Sequence, residues 1–174
     1  MALDEEESIA KAKVTIGAQV YTGAALKPAV KVKLGSKTLV RGTDFRISSY
    51  KNNTKVGLAT VTVKGIGDYT GTAKGTFKIN PKKVSGLKLT AGTKRILVQW
   101  KKRSGVTGYQ IQYGRKKDFS SSTKVKVKKA STVRKTLKNL KARKTYYVRI
   151  RAYQVVGKKI YYSGWSAAKK IKTK

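Results

Sequence analysis

Apolar residues in this chain recur at every second position, and this alternation restricts the fold more than any other feature of the sequence. The clearest runs are residues 30–34, 61–63, 96–100 and 148–152. Successive side chains of a β-strand point to opposite faces of a sheet, so a period of two predicts strands with one buried and one exposed face. Short segments rich in Gly, Asn, Asp and Ser separate the runs at the spacing typical of β-sandwiches. We therefore predict an all-β chain.

The length of the chain and a proline near its middle predict two domains. Sandwich domains of about 80 to 100 residues would divide 174 residues into two. Pro81 follows a strand-like ending and favours an extended linker. We predict tandem β-sandwiches at residues 10–81 and 82–174. Residues 1–9 contain four carboxylates and no Lys or Arg, and we expect them to lie outside the fold, as a flexible acidic segment or the remnant of a fusion.

Side chains that perform catalysis or bind metals are almost absent. After residue 7 the only carboxylates are those of Asp44, Asp68 and Asp118, and the chain has no His or Cys. Acid–base, covalent and metal-assisted catalysis depend on these residue types. We predict that the protein is not an enzyme and has no cofactor or metal site. Asp44 and Asp68 follow glycine-containing turns, so each is expected to bond its own backbone rather than to bind calcium or promote a Lys–Asn crosslink.

Basic residues dominate the charge of the chain. The sequence has 42 Lys and Arg against 7 Asp and Glu, a net charge of +35. Charge of this size destabilises a compact chain by self-repulsion, so the protein is expected to work among anions. Lys outnumbers Arg 33 to 9, and Lys acts as a hydrated point charge, whereas Arg reads phosphates and base edges with a planar fork. The composition predicts diffuse attraction to anionic polymers rather than sequence-specific nucleic-acid recognition.

One basic cluster is a candidate polyanion-binding surface. Alternation at residues 124–128 places three ammonium groups on one strand face, and basic residues of neighbouring strands are expected to extend it. Lysines on edge or solvent-facing strands also serve simply to prevent strand-to-strand aggregation, and the sequence favours this second interpretation because basic residues occur throughout both halves. The candidate residues are Lys124, Lys126, Lys128, Lys129, Arg134, Lys135, Arg149 and Arg151.

A second cluster, aromatic in character, is a candidate platform for sugars or bases. An exposed aromatic surface stacks on either kind of ring, whereas closure of the sandwich would bury one or two of these side chains, and we favour burial. The residues are Tyr147, Tyr161, Tyr162 and Trp165.

A tryptophan, a tyrosine-rich strand and a later tyrosine characterise the second half of the chain. Trp100 ends one alternating run, Gly108–Tyr113 form the next, and Tyr146 lies six positions after Leu140. In these features residues 82–174 resemble a fibronectin type III domain. The resemblance implies that Trp100 fills the centre of the core and that Tyr146 bonds back to the preceding loop. The family usually has Pro-Gly before that tyrosine, where this chain has Ala142-Arg143.

The same alternation assigns side chains to the two faces of these strands. The residues expected to point inward are Ile96, Val98, Trp100, Tyr109, Ile111, Tyr113, Leu140, Tyr146, Val148 and Ile150. The residues expected to face solvent are Gln99, Gln110, Gln112, Tyr147, Arg149 and Arg151.

Glycine, aromatic and Asn-Asn positions mark the first half of the chain. They include Tyr21-Thr22-Gly23, Gly42-Thr43-Asp44-Phe45, Asn52-Asn53 and Tyr69-Thr70-Gly71. In these positions residues 10–81 are similar to a bacterial immunoglobulin-like repeat. Such repeats stand in tandem in surface proteins of Gram-positive bacteria, which implies a stalk, spacer or adhesion role and an extracellular or wall-attached location.

These features together predict a non-catalytic spacer or stalk segment of a bacterial cell-surface or secreted protein that adheres to anionic cell-wall or host polymers. Wall teichoic acid, heparan-type glycans and nucleic acid are the expected kinds of polymer. Two alternatives stay open. One is an adhesin that recognises a specific host glycan or a host or bacterial surface protein, and the other is a nonspecific nucleic-acid binder. We expect no small-molecule substrate and no membrane span in this segment.

Overall fold

The structure, a computed structural model, describes residues 5–174 and divides them into two units at the bond between Asn80 and Pro81. Our sequence-based division placed the end of the first domain at residue 81. Both units are built of β-strands, and the prediction of an all-β chain is confirmed. Within residues 5–174 no helix has the length and apolar character needed to cross a membrane.

The first unit is a sandwich of two mainly antiparallel sheets. Its strands are β1 (Glu7–Ser8), β2 (Lys13–Thr15), β3 (Gln19–Val20), β4 (Lys31–Leu34), β5 (Lys37–Leu39), β6 (Phe45–Lys51), β7 (Gly57–Gly65), β8 (Tyr69–Thr70) and β9 (Thr72–Asn80). One sheet has the order β2-β4-β5 and the other has the order β3-β9-β7-β6, while β1 and β8 form a separate two-stranded sheet. Alternation buries Ala59, Val61 and Val63 along β7, as expected of a strand with one face on a core.

The N-terminal segment corrects one prediction. Residues 1–4 lie outside the described residues, but Glu7 and Ser8 pair in parallel with Tyr69 and Thr70. Ile9, in the single 3-10 turn Ile9–Lys11, is fully buried in a core cluster of the first unit. Placing residues 7–9 outside the fold was therefore wrong. The acidic run indicated an exposed segment, but an apolar residue, Ile9, follows it. Burying the Ile9 side chain stabilises the fold enough to hold the polar residues beside it against the first unit.

The second unit is a sandwich in which one strand spans the whole length of a sheet. Its strands are β10 (Lys88–Gly92), β11 (Arg95–Gln99), β12 (Gly108–Gly114), β13 (Thr123–Val127), β14 (Arg134–Leu137), β15 (Thr145–Val156), β16 (Lys159–Tyr162) and β17 (Lys169–Lys172). The smaller sheet has the order β10-β11-β14. The larger has the order β13-β12-β15-β16, and β17 pairs with β15 as well. The 12-residue β15 pairs with β17 through its first half and with β16 through its second.

The core of the second unit agrees with the predicted inward residues. Nine of the ten are buried, and Tyr113 is half-buried and packs against them. The Trp100 ring meets Tyr109 edge-on, with centroids 5.3 Å apart. The Tyr146 hydroxyl accepts the backbone N–H of Lys141 at 3.0 Å, which confirms the bond from this tyrosine to the preceding loop. Both roles that the fibronectin type III resemblance implied are therefore present.

Candidate polyanion-binding surface

The strand register brings two groups of predicted binding residues onto one face of the larger sheet. Gln112 pairs with Lys124 on one side and with Arg149 on the other. Gln110 pairs in the same way with Lys126 and Arg151. Residues directly opposite each other across a sheet share a face. This face, opposite the core, is called the outer face here, and β12 separates its lysines from its arginines.

The two arginines of the outer face are stacked between aromatic rings. The Arg149 guanidinium carbon lies 4.2 Å from the ring centroid of Phe119 and 4.5 Å from that of Trp165. The Arg151 guanidinium carbon lies 4.4 Å from the Trp165 centroid and 3.7 Å from that of Tyr162. These five side chains alternate as a ladder, in which the negative face of each ring stabilises a cation. They are called the ladder below.

The ladder extends toward β13 through a tyrosine that the sequence did not single out. Tyr153 is buried, its ring centroid lies 6.2 Å from that of Tyr162, and the Lys126 ammonium lies 5.5 Å from the Tyr153 centroid. Burial raises the pKa of the Tyr153 hydroxyl. One lysine of the predicted stripe is therefore also engaged by an aromatic ring.

The arginines of the ladder also bond to the glutamines beside them. Arg149 Nε donates to Gln112 Oε1 at 2.8 Å, and Arg151 donates to Gln110 Oε1 from two nitrogens at 2.9 and 2.7 Å. Gln110 and Gln112 are only 7% and 6% exposed. Our prediction that they face solvent was wrong, because the stacked side chains cover them. Burial lowers the pKa of the Arg151 guanidinium.

Two serine hydroxyls position Trp165 over the arginines. Between β16 and β17 the chain leaves the regular strand pairing, and side chains make some of the hydrogen bonds to the backbone of β15. Ser163 Oγ accepts the N–H of Ala152 at 2.9 Å, and Ser166 Oγ accepts the N–H of Ile150 at 3.0 Å. This satisfies two backbone donors that would otherwise lack partners, and it fixes the segment that carries the indole.

A turn around Asp118 places Phe119 at the other end of the ladder. The Asp118 carboxylate accepts the backbone N–H of Ser120 at 2.9 Å and its hydroxyl at 2.8 Å. The hydrogen bond from the Ser120 N–H lowers the pKa of this carboxyl. Phe119 itself has a left-handed φ of +60° and is buried. Aspartate readily forms such local bonds, so this residue organises the loop.

The remaining predicted binding residues do not join the ladder. Lys128 and Lys129 are exposed beyond the end of β13, and Arg134 and Lys135 belong to β14 in the smaller sheet. Strand β13 lies at the edge of the larger sheet, where lysine also opposes aggregation.

The four candidate platform aromatics have different environments. Tyr161 is buried, Tyr162 and Trp165 are half-buried in the ladder, and Tyr147 is half-buried elsewhere on the outer face. One arginine is therefore stacked against the ring of Tyr162, and two are stacked against the ring of Trp165.

An open groove of about 620 Å³ runs beside the first half of β15. Its volume is within the range of ligand sites. The residues described as lining it include five cations and no carboxylate. The sequence did not single out these five cations, because they come from three separate segments that the pairing of β15 with β12 and with β17 brings together. The basic groove, as it is called below, is lined by Arg115, Arg143, Lys144, Thr145, Tyr147, Lys170, Ile171 and Lys172.

Two carboxylates of the first unit, those of Asp44 and Asp68, lie in turns. Asp44 Oδ2 accepts the backbone N–H of Val40 at 2.7 Å, which confirms its predicted local bond. The backbone carbonyl of Asp68 accepts the N–H of Glu7 at 2.9 Å, and a side-chain bond of Asp68 to its own turn stays a prediction. In residues 5–174 there is no group of three His, Cys, Asp or Glu residues placed to hold a metal ion.

Comparison with known proteins identifies the type of the second unit. The model of the fibronectin type III domain matches residues 81–169. No curated protein matches the chain.

Solved structures also resemble the chain. A computationally redesigned β-sandwich protein is 26% identical, with 53% of this chain and 89% of that chain covered and a TM-score of 0.44. The fn3 domain of human contactin 1 is 21% identical over 53% of this chain and 77% of that chain, with a TM-score of 0.47. The FN1-FN3 domains of chicken CNTN1 are 17% identical over 97% of this chain and 68% of that chain, with a TM-score of 0.49.

Proposed function

The chain belongs to the fibronectin type III family, and from this premise we propose that it is a non-catalytic spacer and adhesion segment that holds anionic polymers by the charge of its second unit. Domains of this family are commonly spacers or adhesion modules. A fold of this kind does not by itself specify a ligand, so the argument depends on the charges and their surroundings.

The unequal charge of the two units is the observation that carries the proposal. Residues 81–174 contain 29 Lys and Arg and a single carboxylate, that of Asp118. Residues 1–80 contain 13 Lys and Arg and six carboxylates. A surface with almost no internal counter-charge attracts polyanions from a distance and raises their local concentration. The same imbalance favours a non-catalytic role, because acid–base chemistry would have one carboxylate to draw on in the second unit.

For the first unit we propose a spacer of the bacterial immunoglobulin-like kind. Its glycine and aromatic positions and its two packed sheets support this assignment. The segment would then belong to a secreted or wall-attached protein of a Gram-positive bacterium, and wall teichoic acid would be the polymer that surrounds it.

Binding measured across a range of salt concentrations tests the proposed function. The full chain is titrated with wall teichoic acid, heparin, duplex DNA and a neutral polysaccharide. We expect binding to the polyanions at low salt, a steep loss of affinity as salt rises, and no binding to the neutral polymer. Absence of polyanion binding at low salt, or equal binding of the neutral polymer, would overturn the proposal.

A further inference from the structure

We propose that the basic groove is a dedicated site for a linear polyol phosphate, a polymer in which phosphodiester groups alternate with short carbon chains. The inference rests on the proposed function and adds to it a site and a ligand chemistry.

The cations of the groove differ from those of the ladder in having no aromatic cover. In the ladder, Arg149 and Arg151 have rings on both faces and a glutamine oxygen at their edge. Arg115 and Arg143, by contrast, are exposed beside the open groove. A guanidinium with free donors binds phosphate oxygens with its planar fork. The groove therefore holds guanidinium groups that are available to a ligand.

Two lysines of the groove have the spacing of an extended phosphodiester chain. Lys170 and Lys172 are exposed on β17, lie opposite Tyr147 and Thr145, and share one face. Residues i and i+2 of a strand are about 7 Å apart. Successive phosphorus atoms of a glycerol phosphate polymer are separated by as many covalent bonds as the Cα atoms of two such residues. An extended polymer lying along β17 would present one phosphate to each ammonium group.

The backbone of Arg143 has a conformation that is unusual for a residue with a long side chain. Arg143 has a φ of +54°, in the left-handed region where glycine is the favoured residue. A long side chain at such a position carries strain, and strain of this kind is often found at functional sites; Lys94, which does not line the groove, has a similar φ of +52°. Its side chain lines the groove.

The ring faces on this surface favour a polyol phosphate over nucleic acid. Nonspecific binding of single strands depends on aromatic rings on which successive bases stack. Trp165 and Tyr162 are stacked against arginines, and Tyr147 is the one aromatic residue among those described as lining the groove. A polymer without bases needs no such platform.

The test compares two pairs of lysines that have the same spacing on two strands of one sheet. Lys170→Gln with Lys172→Gln removes two charges from the groove. Lys124→Gln with Lys126→Gln removes two charges from the outer face of β13 and leaves the groove intact. Both variants and the unaltered full chain are titrated with end-labelled synthetic poly(glycerol phosphate) and with single-stranded DNA over a range of salt concentrations. Thermal unfolding establishes that each variant is folded.

We expect the groove pair to lower the affinity for poly(glycerol phosphate) at least tenfold and the β13 pair to lower it less. The slope of log affinity against log salt should fall by about 1.4 in the groove pair, since each phosphate contact on a single-stranded polyanion contributes about 0.7. Equal losses and equal slopes in the two pairs would overturn the groove as a site and leave the proposed function intact. No binding of any polyanion by the unaltered chain would overturn the proposed function itself.

Single-stranded DNA tests the ligand chemistry separately. Weaker binding of DNA than of poly(glycerol phosphate) at the same salt would support the proposal, whereas equal or tighter DNA binding that is lost in the groove pair would assign the groove to nucleic acid. Arg143→Gly provides a second variant that should fold without strain at this position. Several-fold weaker poly(glycerol phosphate) binding by this variant is expected, and unchanged affinity would contradict a role for Arg143.

Discussion

The outer face of the larger sheet carries the arginines of the ladder on β15 and the lysines of the basic groove on β17, and the surroundings of these two groups of cations are opposite. In the ladder, arginines are stacked between rings and bonded to buried glutamines. In the basic groove, cations surround open space. The ladder uses positive charge to cover and stabilise a sheet, whereas the groove leaves positive charge available to a ligand. The number of basic residues therefore favours attraction to polyanions in general but does not locate a binding site until the contacts of these residues are known.

Removing the central ring of the ladder should have the largest effect on stability. Trp165→Ala deletes the half-buried indole that separates Arg149 from Arg151. We expect the free energy of unfolding to fall by about 2–3 kcal/mol, from lost packing and two lost cation–π contacts. Urea unfolding measures the change, and poly(glycerol phosphate) titration serves as the control. Unchanged stability together with lost binding would mean that the ladder, and not the groove, is the ligand site.

An arginine of the ladder and an arginine of the groove should respond differently to the same substitution. Arg151→Met leaves Gln110 Oε1 without its donor in a buried position, and we expect a loss of about 1–2 kcal/mol in stability. Arg143→Met removes an exposed side chain and should change stability by less than about 0.5 kcal/mol. Urea unfolding of both variants makes the comparison. Equal losses of stability in the two variants would show that the contacts of Arg151 in the ladder stabilise the fold no more than the exposed Arg143 of the groove does.

The difference between ladder and groove explains what the sequence could and could not predict. A period of two predicted the strands and the inward residues of the second unit, because alternation is local. The same alternation placed Arg149 and Arg151 outward correctly, but it could not reveal the cover over Gln110 and Gln112. The arginines bond the oxygens of these glutamines and are in turn stacked against Phe119 and Trp165, which lie in loops far apart in the sequence.

The groove and the N-terminal segment were missed for related reasons. The lining cations of the groove converge through the pairing of β15 with β12 and with β17, and no short sequence motif encodes those pairings. Ile9 is a single apolar residue next to an acidic run, and only its position against the core of the first unit shows its role. The sequence showed that Arg143 stands where the family usually has the glycine of Pro-Gly. It did not show that Arg143 has a left-handed backbone or that it lines the basic groove.

A pair of substitutions at Arg143 would measure the strain in the groove. Arg143→Ala removes the charge but keeps a Cβ at this left-handed position, whereas Arg143→Gly removes both the charge and the Cβ. The glycine variant should be the more stable of the two by about 1 kcal/mol, because glycine adopts this conformation without a steric penalty. Chemical unfolding compares the variants with each other. Equal stabilities would mean that the loop tolerates the conformation without strain, and the argument from Arg143 would lose its basis.

The smallest expected effect concerns the turn that supports the ladder. The pKa of the exposed Asp118 carboxyl is lowered mainly by the hydrogen bond from the Ser120 N–H. A carboxyl whose pKa is lower in the folded state stabilises the fold above its ordinary pKa, and this contribution is lost as the pH falls through the folded value. Asp118→Asn keeps an acceptor oxygen but cannot titrate. We expect the native chain to be slightly more stable than the variant at neutral pH.

Urea midpoints of both proteins, measured from neutral pH down through the acid range, test this expectation. Titration of the other carboxylates is common to both proteins and cancels in the difference between their midpoints. The difference should shrink as the Asp118 carboxyl becomes protonated, because the native chain then has a neutral side chain at this position as well. A difference that stays constant with pH would mean that the turn holds Phe119 against Arg149 by shape alone. The only carboxylate of the second unit would then have no electrostatic part in supporting its ladder.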